Sequence, residues 1–261
     1  MNLELKDKVI IVTGGGGLSG SIGETIVRHI AAEGGTPVIV DKNSRGKDLE
    51  KTIRDQGGDG LFIQADLSTP EGCKSAVQKS VDHYGRIDGL VNNLGVNDGV
   101  GLDKSYDQFM GSLKLNLAHF FAVTQAALPW LIESSGPIVN IASKVALTGQ
   151  GSTSGYAAAK GGVLALTREW ALELREHSIR VNAIVIAESW TPGYKQWISK
   201  FEDQDTKLKS IISKIPLGQR MTRPSEVADT VLFLLSNRSS HTTGQFIHID
   251  GGYVHLDRAI S

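Results

Sequence analysis

The sequence predicts an α/β fold, a doubly wound parallel sheet of about seven strands with helices on both faces. Three observations predict it. Short β-branched runs alternate with helix-length amphipathic stretches along the whole chain. Several of these runs are apolar without interruption, as strands covered on both faces must be. Polar residues of chemical interest follow the ends of the runs, where open α/β sheets bind ligands.

The elements follow in order. Residues 9–12 predict a strand and 22–33 a helix; 38–40 and 48–56 repeat the pair, as do 61–63 and 71–84. Residues 87–91 predict a fourth strand, followed by one long helix over 105–133. Residues 138–141 and 156–176 form the next pair. A strand over 179–186 leads into a polar, Trp-containing segment, a helix over 224–235 and a last strand over 246–249. No repeat or Pro/Ser-rich linker interrupts the 261 residues, which predicts one domain over 1–261 with a substrate lid at 188–214 inside it.

Composition narrows the function classes. Hydrophobic residues are 40% and charged residues 21%, an ordinary globular balance. A net charge of −1 gives no global electrostatic case for nucleic acid or an anionic membrane. No apolar run approaches the roughly 18 residues of a spanning helix, and the acidic first residues do not read as a signal peptide. The single cysteine, Cys73, cannot form an internal disulfide, which fits a reducing, cytoplasmic setting. The seven histidines show no close ligand spacing, so no metal site is expected.

The first strand runs into Thr13-Gly14-Gly15-Gly16-Gly17-Leu18-Ser19-Gly20-Ser21-Ile22-Gly23. Glycines let the backbone turn sharply and approach a pyrophosphate, while the helix behind offers free N–H groups and its positive dipole end. Gly14, Ser21, Ile22 and Gly23 are therefore candidate cofactor contacts. Asp41 ends the second strand, 18 residues after Gly23. A carboxylate there accepts from the adenosine ribose of NAD and repels a 2′-phosphate. Lys42 and Arg45 follow it and leave a weaker NADP reading open. Asp66 and Leu67 after the third strand would meet the adenine, and Asn92-Asn93-Leu94-Gly95 after the fourth would wall the nucleotide through Asn93.

Tyr156 and Lys160 stand four apart at the start of a helix, hence on one face. Ser143 lies just past the fifth strand, and Asn116 sits inside the long helix, where it can hold a backbone group or a water. Oxidising an alcohol by hydride transfer needs a base for the hydroxyl proton. Free tyrosine titrates at about 10, and a lysine ammonium within reach, together with the positive nicotinamide ring, favours the phenolate by about 1–3 units. Tyr156 as base, Ser143 holding the reacting oxygen, Lys160 lowering the tyrosine's proton affinity and Asn116 supporting a proton relay form a coherent set.

With those residues quoted, the chain resembles the short-chain dehydrogenase/reductase family over essentially its whole length. The matching motifs are Thr13-Gly14 with Gly23, Asn92-Asn93-x-Gly95, Asn116, Ser143, Tyr156-x-x-x-Lys160 and Arg180-Val181-Asn182. The resemblance implies a Rossmann-type fold, a nicotinamide cofactor, the tetrad Asn116, Ser143, Tyr156 and Lys160, and a nicotinamide contact at Thr191. It also implies a homotetramer joined through helices near 105–133 and 156–176. Narrower stretches, among them TGQGSTSGYAAAKG, TPGYKQWISKFED and DGGYVHLDRA, are similar to bacterial L-fucose dehydrogenases. Those enzymes oxidise the anomeric hydroxyl of a 6-deoxyhexopyranose.

A sugar needs several hydrogen-bonding partners, because each buried hydroxyl left unpaired costs about 1–3 kcal/mol. Asn97, Gln150 and Glu188, in loops beyond the strands, are candidate substrate contacts beside Ser143 and Tyr156. Trp197, with Trp190, Tyr194 and Phe201, belongs to the lid, where an aromatic face can stack on a sugar ring. The expectation is an NAD-dependent sugar 1-dehydrogenase acting on a small-molecule sugar. The rivals are an NAD(P)-dependent carbonyl reductase of 3-oxoacyl or hydroxysteroid type, and a non-catalytic nucleotide-binding interaction protein.

Overall fold

The computed structural model describes residues 2–256, so Asp257, Arg258 and Ala259 of the DGGYVHLDRA stretch lie outside the described residues. Seven strands form one parallel sheet: β1 (Val9–Thr13), β2 (Thr36–Asp41), β3 (Leu61–Gln64), β4 (Gly89–Asn92), β5 (Ile138–Ser143), β6 (Val181–Ile186) and β7 (Phe246–Ile249). Their spatial order is β3-β2-β1-β4-β5-β6-β7. Between β1 and β4 the winding reverses, and the crevice above that point is where such sheets hold a nucleotide.

The helices are α1 (Ile22–Ala32), α2 (Gly46–Asp55), α3 (Pro70–Tyr84), α4 (Tyr106–Leu113), α5 (His119–Ser134), α6 (Ser154–Glu173), α7 (Pro192–Ile198), α8 (Gln204–Ile212) and α9 (Pro224–Leu235). Alternation along the strands divides the core in two. Val9 and Ile11 of β1 pack with Val123 and Leu131 of α5 and Val163 of α6. Ile10 and Val12 pack on the other face with Ile26 and Ile30 of α1 and Val231 of α9. Both faces of β1 are therefore apolar, which is why it reads as an unbroken run.

Local chemistry sets the helix ends. Ser21 caps α1, Thr69 caps α3 with Pro70 behind it, and Ser105 forms a capping box with Gln108 on α4. Gly85 ends α3 at φ +71°, a conformation glycine adopts without steric cost.

Several boundaries differ from expectation. The helix expected over 105–133 is broken by a π-helical turn, Lys114–Ala118, which carries Asn116. The helix expected to reach residue 176 passes into a 3-10 turn, Arg175–His177. The fourth and sixth strands start two residues late, at Gly89 and Val181. The segment 188–214 holds α7 and α8. One exclusion also needs correcting: the continuous helical stretch Tyr106–Ser134 has a window of mean hydropathy 1.3, long and apolar enough to cross a bilayer. It passes because apolar residues lie on more than its inner face: Phe120, Val123, Ala127 and Leu131 are buried in the core, while Phe121 stays exposed.

Candidate active site

The glycine loop folds against the end of β4. Gly14 takes φ +67°, and its N–H donates to the Val40 carbonyl at 2.8 Å. Asn93 Nδ2 donates to the Thr13 and Gly14 carbonyls at 2.9 and 3.3 Å, and Asn93 N donates to Thr13 Oγ1 at 2.9 Å. A Cβ on residue 23 would lie 2.3 Å from Gly14 O and 2.5 Å from Asn93 Nδ2, so only glycine lets α1 start this close. Ser21 Oγ accepts from Glu24 N at 3.4 Å, which places Ser21 and Ile22 at the open N-terminus of α1. A Cβ on Gly16 would lie 2.9 Å from Asp41 Cβ, so the loop runs directly beside that carboxylate. This cradle, a glycine-rich loop facing a helix N-terminus with a carboxylate at its rim, fits the phosphates and ribose of a nicotinamide dinucleotide.

The outer contacts are less enclosed. Asp41 Oδ1 accepts from Asn43 N at 2.9 Å. Asp66, two residues beyond β3, is exposed and accepts from Ser68 N and Oγ at 2.9 and 2.7 Å, which hold its carboxyl below the usual range. Leu67 is buried. Thr191 caps α7, its Oγ1 accepting from Tyr194 N at 3.2 Å.

Ser143 is the last residue of β5, and Tyr156 and Lys160 lie on the first turns of α6, which packs beside it. Ser143 hydrogen-bonds the Tyr156 phenol and works to keep it acidic. Lys160 is fully buried; its Nζ donates to the Ile141 carbonyl at 2.7 Å and lies 5.7 Å from the centre of the Tyr156 ring. A Cβ on Gly95 would lie 2.9 Å from that nitrogen, so glycine there leaves room for the ammonium. Asn116 is buried in the π-helical turn, and its Oδ1 accepts from Val96 N at 2.7 Å. Its Nδ2 donates to Ser112 Oγ at 3.4 Å.

The electrostatics depart from expectation. In the protein alone, burial outweighs the Ser143 hydrogen bond and pushes Tyr156 up to about 12, with Asp98 adding to the rise. Burial also brings Lys160 down to about 7, because the charged form is the one that loses hydration. Sequence reasoning also passed over His119, a buried neighbour whose imidazole is pushed down to about 3 by burial and by the Lys160 charge.

The substrate candidates divide. Asn97 and Gln150 are exposed loop residues, and Asn97 Oδ1 accepts from Gly99 N at 3.3 Å. The Asn97 loop is anchored near the candidate base, since Gly155 N donates to the Val100 carbonyl at 3.0 Å. Glu188 is half-buried and engaged: Oε1 pairs with the Lys144 ammonium, and Oε2 accepts from the Tyr194 hydroxyl at 2.7 Å. Lys144 lies 4.2 Å from the centre of the Tyr253 ring. Trp197 is 41% exposed and packs edge-on between Tyr194 and Phe201, with ring centres 5.3 and 4.9 Å away. Lys144 and Tyr194 were missed as members of a polar cluster; the signal for Lys144 was its place directly after Ser143. Among the described residues no group of His, Cys, Asp and Glu is placed to hold a metal ion.

Arg180 and Asn182, part of the sequence resemblance, brace the scaffold. Arg180 donates to the Leu234 carbonyl at 2.8 Å, and Asn182 Nδ2 donates to the Thr242 carbonyl at 2.7 Å, tying β6 to α9 and to the approach to β7.

A family model described as enoyl-(acyl carrier protein) reductase matches residues 17–254. The chain is 34% identical over 259 residues to a 3-oxoacyl-[acyl-carrier-protein] reductase of Thermotoga maritima, covering 97% of this chain and 100% of the relative. It is 33% identical over 255 residues to an L-fucose dehydrogenase of Bos taurus, covering 97% and 91%. The solved structure of the Cj0485 dehydrogenase superposes with a TM-score of 0.93 at 41% identity, covering 99% of this chain and 98% of that one.

Proposed function

The chain belongs to the short-chain dehydrogenase/reductase family, oxidoreductases that use NAD(P), and we propose that it is an NAD-dependent sugar 1-dehydrogenase. The substrate of this reading is the anomeric C1 hydroxyl of L-fucose or a related aldopyranose, and the product is the lactone. One observation carries the choice of a sugar: the partly buried cluster of Lys144, Glu188 and Tyr194 that begins at the residue after Ser143. Polar groups of this kind suit a polyol, whereas an acyl chain or a steroid calls for an apolar wall.

NAD is preferred over NADP because Asp41 stands beside the glycine loop, where a carboxylate repels a 2′-phosphate. Gly14, Ser21, Ile22 and Gly23 would hold the pyrophosphate, Asn93 would wall the nucleotide, and Asp66 and Leu67 would flank the adenine. Lys160 would grip the nicotinamide ribose and Thr191 the carboxamide. The bound nicotinamide supplies the acceptor for the hydride leaving C1. Ser143 orients the C1 hydroxyl, and Tyr156 takes its proton at the phenolic oxygen. The Ser143 hydroxyl offsets part of the burial cost that keeps Tyr156 protonated, and the Lys160 ammonium and the positive nicotinamide ring would add to that when the cofactor is bound. Asn116 supports the proton relay from a position fixed by its bond to Val96 N.

In this reading residues 1–261 form one domain, and 188–214 close over the sugar as a lid, with Trp197 available for stacking. Asn97 and Gln150 would reach the sugar only on closure, since both face solvent. Phe121 and Leu172, exposed on α5 and α6, suit the helix faces that would join a homotetramer. The lone buried Cys73 is consistent with a cytoplasmic enzyme.

The family-model description and the Thermotoga relative favour a second reading, a 3-oxoacyl carbonyl reductase. Assay of an aldose panel with NAD and NADP, read by reduced-cofactor absorbance, separates the two. L-Fucose, L-galactose or D-arabinose should reduce NAD. Silence on every aldose, with NADPH oxidised by a 3-oxoacyl thioester, would replace the first reading with the second.

A further inference from the structure

Lys144 directly follows Ser143 and is only 9% exposed, yet no step of the proposed reaction uses it. Its ammonium pairs with Glu188 and faces the Tyr253 ring at 4.2 Å. Tyr194 donates to the far oxygen of the same carboxylate at 2.7 Å. The four residues come from four different places: the turn after β5, the connection after β6, α7, and the turn after β7. All lie at the carboxyl ends of the strands, the side on which such sheets bind ligands.

Stability alone does not account for this cluster. Removing two charges from water offsets most of their mutual attraction, so a buried ion pair is often no better than an apolar contact of the same size. What the pair does accomplish is to fix an ammonium at a defined point. An ammonium carries three N–H donors. Glu188 takes one of them, and the Tyr253 side chain faces the same ammonium, which leaves at least one donor beyond these two neighbours. Donor capacity therefore remains one residue along the chain from the hydroxyl that orients C1.

Resting on the sugar-dehydrogenase reading, we propose that Lys144 is a specificity-determining residue whose ammonium donates a hydrogen bond to the C2 hydroxyl of the aldose. Glu188 and Tyr194 are positioning residues that hold the ammonium in place. A simple alcohol or a 2-deoxy sugar cannot satisfy the same donor.

The test is kcat/KM at saturating NAD for L-fucose and 2-deoxy-L-fucose, with wild type and Lys144→Met. The comparison between proteins cancels the intrinsic reactivity of the two sugars. Lys144→Met should lower the value for L-fucose by about 10- to 100-fold and that for the 2-deoxy sugar by less than about threefold. NAD affinity, measured by fluorescence titration, should be unchanged. Lys144→Met with Glu188→Gln removes the stranded carboxylate if the single variant folds poorly, and should show the same loss of discrimination. An equal fall on both sugars, or none on either, would overturn the proposal while leaving the dehydrogenase reading standing. A wild type silent on every aldose would overturn both.

Discussion

Lys160 and Ile141 are joined by a 2.7 Å hydrogen bond from a fully buried ammonium to a strand carbonyl. That bond fixes the cation beneath the candidate site, and the burial that comes with it sets a pH dependence. The ammonium falls from its ordinary 10.5 to about 7. Between those values the unfolded chain binds more protons at this residue than the folded one, so its contribution to stability rises with pH. Lys160→Met removes the titration. The variant's Tm relative to wild type should be highest near about pH 7 and fall as pH approaches about 10, read by thermal melts across that range. Its turnover should drop by about 100-fold or more throughout.

Gly23 leaves no space for a side chain against Gly14 O and Asn93 Nδ2. Gly23→Ala should push α1 off the end of β4, costing about 1–3 kcal/mol as overpacking does. Denaturant melts measure the cost. Cofactor titration should show weaker binding, because the free N–H groups at the start of α1 move with the helix.

Asp41→Ala should shift the cofactor ratio toward NADP. The carboxylate stands beside Gly16, and Lys42 and Arg45 remain to receive a 2′-phosphate. The comparison of kcat/KM for NAD and NADP checks it, and an unchanged ratio would place the ribose elsewhere.

Tyr194→Phe deletes one hydrogen bond to Glu188 and nothing else of size. A loss of about 1 kcal/mol in stability is expected. If α7 closes over the substrate, KM for the sugar should rise severalfold with kcat little changed, as steady-state kinetics would show.

The fold was legible because unbroken apolar runs such as residues 9–12 and 183–186 leave little but a doubly covered strand. The Ser143, Tyr156 and Lys160 positions were legible because strand ends and helical spacing dictate where those side chains go. Asn116 in a π-helical turn was not, since the apolar spacing around it reads as one continuous helix. The effect of burial on Tyr156 and Lys160 was not legible for a related reason. Spacing puts the two side chains on one face, but it does not show how deeply they are buried. Glu188 was found as a loop carboxylate, while its partners came from segments 44 residues upstream and 6 downstream, a pairing only the folded chain creates.

In the proposed reaction the Tyr156 phenol takes the proton from a sugar hydroxyl oriented by Ser143. Tyr156→Phe removes that oxygen alone, so NADH formation from L-fucose by wild type and variant tests it most directly, with NAD binding measured in parallel. Turnover should fall by about 100-fold or more with NAD affinity retained. A variant that binds NAD and still turns over at about a tenth of the wild-type rate or faster would contradict the account.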